Sequence, residues 1–177
     1  MRIIAGAWRG RPLLAPPGQS TRPTSDRARE ALFSMLQSRL GSFEDLRVAD
    51  LFAGTGALGL EALSRGAAHC TFYETDRAAL EVLKRNLATL GAQERADPRS
   101  QDATRAGGGP FHLVFLDPPY RSGLAEGALA HLISAGALAP GALISVESAR
   151  DEAAAGAGLT IESERIYGKA KITLLRA

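Results

Sequence analysis

From residue 46 onward, short uniformly apolar runs alternate with longer amphipathic stretches. LRVADLF at 46–52, HCTFYET at 69–75, FHLVFLD at 111–117 and ALISVES at 142–148 have the apolar character of strands buried on both faces. Between them, LGLEALSRG at 58–66, DRAALEVLKRNLATLG at 76–91 and GLAEGALAHLISAG at 123–136 carry helical spacing and close on glycine. This alternation predicts βαβ units and a mainly parallel sheet covered on both faces. LTIESERIYG at 159–168 and KITLLRA at 171–177 read as a closing hairpin. A third strand is due near QERADPRSQDA at 93–103, yet that segment is polar and holds Pro98.

The first 45 residues follow a different pattern. Residues 2–14 (RIIAGAWRGRPLL) predict two short strands around a glycine-containing turn. APPGQSTRPT is a proline-rich loop. SDRAREALFSMLQSRL predicts a helix over 25–40, with Ser25 as N-cap, Asp26 in the first turn, and Ala28, Leu32, Met35 and Leu36 as one apolar stripe.

Length and composition narrow the class. At 177 residues, 45% apolar and 23% charged, the chain fits one soluble domain with a full core. No apolar run reaches the length of a membrane span, and MRIIAGAWRGRP lacks the apolar stretch of a signal peptide. Cys70 is the only cysteine, so no internal disulfide can form. His69, His112 and His131 are scattered and give no metal-ligand spacing. The expectation is a cytoplasmic monomer with neither metal nor membrane attachment.

The net charge of +2 is unevenly spread. Seven arginines against Asp26 and Glu30 make residues 1–39 net +5, which leaves −3 elsewhere. That asymmetry fits a basic arm meeting a polyanion, and equally fits a solvated surface in a chain with 18 Arg and 3 Lys.

Two loops carry the candidate chemistry. Asp50-Leu51-Phe52-Ala53-Gly54-Thr55-Gly56-Ala57-Leu58-Gly59 satisfies G-x-G-x-x-G between a strand and a helix. Glu74 lies 20 residues past Gly54, at the end of the next strand, where a carboxylate can accept from ribose hydroxyls. Gly54 and Gly56 allow a tight turn and close approach of a ligand. The pattern indicates an adenosine-containing cofactor. Between a dinucleotide and S-adenosylmethionine (AdoMet), Asp50 favours AdoMet: an acid there repels phosphates but suits a cationic amino acid group, directly or through water. A capping or turn role for Asp50 is the alternative.

The second loop, Asp117-Pro118-Pro119-Tyr120, ends a buried strand and so faces the same crevice. The prolines fix φ and offer carbonyls without N–H donors. Asp117 and the Pro118 carbonyl form a rigid row of acceptors, and Tyr120 adds a flat ring. An aromatic amine with two N–H groups fits this arrangement. The acceptors aim its lone pair at a methyl donor and stabilise the charge that builds on nitrogen. Stacking asks only for the ring of Tyr120, not its hydroxyl.

DPPY with DLFAGTGALG resembles the class I AdoMet-dependent amino-methyltransferases. R-I-I-A-G-x-W-R-G-R at 2–11, R-P-T-S-D-R-A-R-E-A-L-F at 22–33, DLFAGTGALGLEALSRGA and Y-G-K-x-K at 167–171 more closely resemble the bacterial RsmD family. The resemblance covers nearly the whole chain. It implies a Rossmann-like seven-stranded, mostly parallel sheet as one methyltransferase domain over 1–177, with 1–24 as a basic N-terminal hairpin or arm. It also implies methylation of the N2 amine of one guanine in 16S ribosomal RNA, on the assembling 30S particle, with S-adenosyl-L-homocysteine as product. By this resemblance Phe52 and Glu74 bind the cofactor, Asp102 the adenine amine, and Asp117, Pro118, Pro119 and Tyr120 the target guanine. The departure is at 92–101, where the family has an apolar strand.

The arginines acquire a partner in this reading. Arg2, Arg9, Arg11, Arg22, Arg27 and Arg29 are expected to hold RNA phosphates, with Tyr167, Lys169 and Lys171 as a second basic-aromatic cluster. Trp8 either stacks on a base or packs onto the core. The competing functions are a DNA or RNA adenine-N6 methyltransferase, an NAD oxidoreductase, and a non-catalytic ribosome-assembly factor.

Overall fold

The computed structural model describes residues 1–17, 23–153 and 156–177, with side chains of the first helix described from residue 26. Four helices, α1 (Pro23–Leu40), α2 (Ala57–Ser64), α3 (Arg77–Leu90) and α4 (Leu124–Ser134), surround one sheet. Its strands are β1 (Arg47–Leu51), β2 (His69–Tyr73), β3 (Ala96–Arg99), β4 (Phe111–Leu116), β5 (Leu138–Ala149), β6 (Thr160–Tyr167) and β7 (Ala170–Arg176). The order is β3-β2-β1-β4-β5-β7-β6. β1 to β5 are parallel, and β7 is antiparallel to both β5 and β6. This is the expected Rossmann-like sheet with its closing hairpin.

Strand alternation sorts the core into two layers. Val48, Phe72, Leu113, Phe115 and Leu143 pack with Phe33 and Leu36 of α1, Leu60 and Leu63 of α2, and Leu83 and Leu87 of α3. Ala49, Leu51, Val114, Leu116, Ile144 and Val146 pack on the other side with Ala128, Leu129 and Leu132 of α4. Each large side chain so buried stabilises the fold by about 1.5–3 kcal/mol. α3 shows how local sequence sets an element's ends: the Asp76 side chain accepts from the Ala79 N–H at 2.8 Å, and Gly91 closes the helix in the left-handed region at φ 67°. No helix among the described residues is long and apolar enough to cross a membrane.

Two expectations are revised. The polar segment at 93–103 does form a strand, Ala96–Arg99, at the sheet edge. An edge strand needs its hydrogen bonds on one side only, so Pro98 and polar neighbours are tolerated there. α1 begins at Pro23, three residues before Asp26, where a helix capped by Ser25 would start; a proline suits the first helical position, where its missing N–H costs nothing.

The N-terminal segment pairs with itself as the expected short hairpin and also docks on α2. An antiparallel bridge joins Arg2 to Pro12; Ile3 N–H donates to the Arg11 carbonyl at 3.0 Å, Gly10 N–H to the Ile3 carbonyl at 2.8 Å and Leu13 N–H to the Met1 carbonyl at 2.9 Å, and the loop between the two halves docks on α2. The amides of Ile4 and Ala5 donate to the buried Glu61 carboxylate at 2.9 and 3.0 Å, and Trp8 N–H donates to Ser64 Oγ at 3.0 Å. A Cβ at Gly6 would lie 2.0 Å from the Ser64 carbonyl oxygen, so only glycine permits this approach.

Candidate active site

The carboxyl ends of β1, β4 and β5 lie side by side, with Leu51 beside Leu116 and Leu116 beside Val146. Asp117 thus follows β4 at the level where Glu147 sits on β5, and Asp50 lies one residue before the end of β1. All three acids line one crevice compartment of about 670 Å³, together with Gly54, Thr55 and Arg29. A second compartment of about 610 Å³ is lined by Tyr73, Glu74, Asp102, Pro118 and Pro119. Phe52, Asp117, Tyr120 and Glu147 border both. Each compartment is within the roughly 300–1,000 Å³ range of small-molecule sites, and the crevice lies at the switch point between β1 and β4.

The glycine loop divides its labour. Gly54, at φ 57°, has open space where a Cβ would project, so a ligand can approach the backbone there. Gly56, at φ 85°, faces inward: a Cβ would stand 2.3 Å from Leu83 Cδ1. Gly59 holds α2 against β2, where a Cβ would meet Phe72 Cε1 at 2.4 Å. Of the two glycines expected to admit a ligand, only Gly54 faces open space. Phe52 is also left-handed, at φ 62°, an uncommon state for an aromatic residue that turns the chain out of β1 at the crevice.

Backbone amides hold the acids around this loop. Asp50, 1% exposed, accepts from the Gly59 N–H at 2.9 Å and so caps α2 from the sheet, the alternative role foreseen for it. Burial pushes its pKa up to about 8; the Gly59 bond opposes the rise and the Glu74 charge adds to it. Glu74 Oε2 accepts from the Gly54 N–H at 2.7 Å and Oε1 from the Asp76 N–H at 2.8 Å. Asp102 accepts from the N–H and hydroxyl of Thr104, and these two bonds lower its pKa. It faces the same compartment as Glu74 because the edge strand β3 forms.

The acids beyond β4 and β5 are held differently. Among the described residues the Asp117 carboxylate accepts no hydrogen bond. Burial of the carboxyl, then the charges of Glu147 and Asp50, push it above the ordinary range; the residue is nevertheless exposed to the crevice, so solvent limits the burial contribution. Pro118 is buried and Pro119 exposed. The Tyr120 hydroxyl, given no task in the sequence, donates to Glu147 Oε1 at 2.7 Å; burial and this bond raise its pKa. Its ring is 41% exposed. Sequence reasoning missed Glu147. The available signal was an acid at the carboxyl end of the apolar strand ALISVES, the same position that drew attention to Asp117.

The basic residues separate into free and committed groups. Arg29 is 5% exposed, and its guanidinium reaches the Arg2 carbonyl and, at 3.2 Å, Asp26. It braces α1 against the N-terminal loop and lines the crevice, so the expectation of an outward phosphate contact fails for it. Arg11 donates to the Thr89 carbonyl at 2.8 Å, near the end of α3. That helix starts beside the crevice and runs back along the sheet for about 1.5 Å per residue, so Arg11 stands at the far end. Arg11 is itself exposed, as are Arg9 in the same docked loop, Arg27, and Arg2, whose guanidinium donates to the Gly10 carbonyl at 3.4 Å. Trp8 packs onto the core, with the Arg95 guanidinium 5.2 Å from its ring centre. Tyr167 and exposed Lys169 line the crevice, whereas buried Lys171 donates to the Glu152 carbonyl. Arg22 lies outside the described residues. No group of three or more His, Cys, Asp or Glu among the described residues could hold a metal ion.

The family model described as Conserved hypothetical protein 95 matches residues 1–176. A relative from Escherichia coli, Ribosomal RNA small subunit methyltransferase D, is 47% identical over 150 residues, which cover 84% of this chain and 74% of the relative. The solved structure "Putative methyltransferase yhhF from Escherichia coli" matches with a TM-score of 0.85 at 41% identity, over 99% of this chain and 97% of that one. A Thermus thermophilus 16S rRNA N2 methyltransferase, solved in complex with AdoMet and guanosine, matches with a TM-score of 0.68 at 21% identity, over 90% of this chain and 44% of that one, a likeness of fold alone. The cradle over Gly54, the acceptors of Glu74 and Asp102, and the buried acid at Asp50 suit an adenosine bearing a cationic amino acid group. The chain belongs to the RsmD family of class I methyltransferases, and its cofactor is S-adenosylmethionine.

Proposed function

We propose that the chain methylates the exocyclic N2 amine of a guanine in small-subunit ribosomal RNA, presented on the 30S particle or its assembly intermediate. The observation that carries this reading is the Asp117 carboxylate, which has no hydrogen-bond donor among the described residues, beside the Pro118 carbonyl and the Tyr120 ring. It opens into the crevice that contains Gly54 and Glu74. The name of the Escherichia coli relative supports ribosomal RNA as the substrate.

Bound AdoMet supplies an electrophilic methyl group on a sulfonium, and the pair of the breaking C–S bond returns to sulfur. The residues of this chain prepare the amine. Asp117 and the Pro118 carbonyl accept its two N–H bonds and draw the nitrogen away from planarity, so that the lone pair points at the methyl. As the N–C bond forms, positive charge would grow on nitrogen beside the Asp117 carboxylate, which would stabilise it until one amine proton passes to water at the open side of the crevice. The Tyr120 ring stacks on the base. Glu74 holds ribose hydroxyls and Asp102 the adenine amine. Asp50 faces the cationic amino acid end. Exposed Arg2, Arg9, Arg27 and Lys169 would meet phosphates, with Arg9 doing so from the face remote from the crevice.

The test is to offer labelled AdoMet with naked 16S rRNA, 30S particles and DNA, and to map the labelled base. Label on a guanine N2 of 16S rRNA is expected. Label on adenine N6, or on DNA alone, would overturn the assignment.

A further inference from the structure

Glu147 is the acid that the mechanism leaves without a task. It is partly buried on β5, beside Asp117, and borders both compartments of the crevice. Its Oε1 receives the Tyr120 hydroxyl at 2.7 Å, while Oε2 accepts no hydrogen bond among the described residues. The Tyr120 bond fixes the side chain and leaves one oxygen pointing at no protein donor. A carboxylate only accepts, so its complement is a second donor on the base, next to the amine that Asp117 receives.

The pairing edges of the two amine-bearing purines differ at this point. Guanine carries its N1–H beside the N2 amine, which makes two adjacent donors. Adenine carries a bare N1 lone pair beside its N6 amine. We propose that Glu147 Oε2 accepts the N1–H of the target guanine, and that this contact makes the site select guanine over adenine. The inference rests on the guanine reading above and assigns the discrimination to one residue. Against Oε2, adenine sets an acceptor beside an acceptor, so one partner loses its hydrogen bond and repulsion adds to that loss. A flipped or looped-out base is read on this edge.

The test uses the full chain and a small-subunit RNA substrate with either guanine or 2-aminopurine at the methylated position. 2-Aminopurine keeps the 2-amine but replaces N1–H with a lone pair. Wild type is expected to lose about 10–100-fold in kcat/KM on 2-aminopurine, the worth of one charged hydrogen bond. Glu147→Gln should lose activity on guanine and shrink that discrimination to a few-fold, because the amide can donate to the lone pair. AdoMet affinity by calorimetry should stay within a few-fold, which reports that the variant is folded. Wild type that accepts 2-aminopurine as readily as guanine overturns the proposal without any variant. Glu147→Gln with full wild-type discrimination also overturns it and leaves Glu147 as the anchor of Tyr120. Transfer to guanine by neither protein would mark failure of the underlying reading instead.

Discussion

In the glycine-loop half of the crevice the acids are already held by backbone amides: Asp50 by Gly59, Glu74 by Gly54 and Asp76. In the DPPY half, Asp117 accepts nothing among the described residues, and Glu147 accepts only the Tyr120 hydroxyl. The residue type is the same and the state differs. The first half is a finished scaffold whose carboxylates organise the loop and retain spare lone pairs for hydroxyl groups. The second half keeps acceptors that no group among the described residues pairs with, at the open side of the crevice where an incoming donor-rich amine can reach them. Cofactor recognition therefore needs little rearrangement, while the acceptors meant for the reacting base wait for it.

Asp117→Ala should widen this contrast most. Transfer is expected to fall by about 10³-fold, with AdoMet affinity within a few-fold, because the lost group acts on the amine. Parallel losses in calorimetric affinity and turnover would move Asp117 into the cofactor half.

Glu74→Ala is the counterpart. AdoMet binding should weaken by about 1.5–3 kcal/mol, and melting temperature should fall as well, since the Gly54 and Asp76 amides lose their acceptor. Weaker binding with unchanged melting would show that the loop stands without Glu74.

Tyr120 now has two tasks that substitution can separate. Tyr120→Phe keeps the ring but frees Glu147, at a cost of about 0.5–1.5 kcal/mol in kcat/KM. Tyr120→Ala should lose about 1–3 kcal/mol more from base stacking. Equal defects in the two variants would assign the whole effect to the hydroxyl.

Asp50 titrates within a useful range. Its carboxyl is raised to about 8, and a cationic ligand favours the ionised form, so AdoMet affinity should climb from pH 6 to pH 8 and be flatter in Asp50→Asn. The effect on stability has the opposite sign. A carboxyl with a raised folded-state pKa contributes stability below about pH 4, and that contribution is lost as pH rises through 8. Denaturant titrations should show wild type losing stability relative to Asp50→Asn across that window. Parallel curves would place the raised titration elsewhere.

The smallest effects belong to the N-terminal loop. Arg11→Ala should lower stability by about 0.5–1.5 kcal/mol through the lost bond to the Thr89 carbonyl, and leave the salt dependence of RNA binding unchanged. Arg9→Ala should leave melting unchanged and flatten the log–log salt slope by about 0.7 if it meets single-stranded phosphate. A flatter slope for Arg11→Ala with native melting would return that residue to the RNA-facing group.

Periodicity and local chemistry were enough for the strand–helix alternation, the glycine loop, and the placing of Asp50, Glu74 and Asp117 at strand ends. Each of these follows from residues close together in the chain, where turn geometry and burial leave few alternatives. Contacts between distant residues decided the rest. Ala96–Arg99 is a strand because β2 offers it an edge, which its own polar composition does not announce. The N-terminal hairpin is docked on α2 because Glu61, 56 and 57 residues away, takes two of its amides. Arg29 looks like its exposed neighbours in sequence, yet a carbonyl and an acid reached only after folding bury and commit its guanidinium, and exposed Arg11 reaches the Thr89 carbonyl in the same way. Glu147 gains its place from the register of β4 with β5 and from a tyrosine 27 residues earlier. Hydrogen bonding and charge act at a few ångströms, and only the folded chain sets which groups come that close.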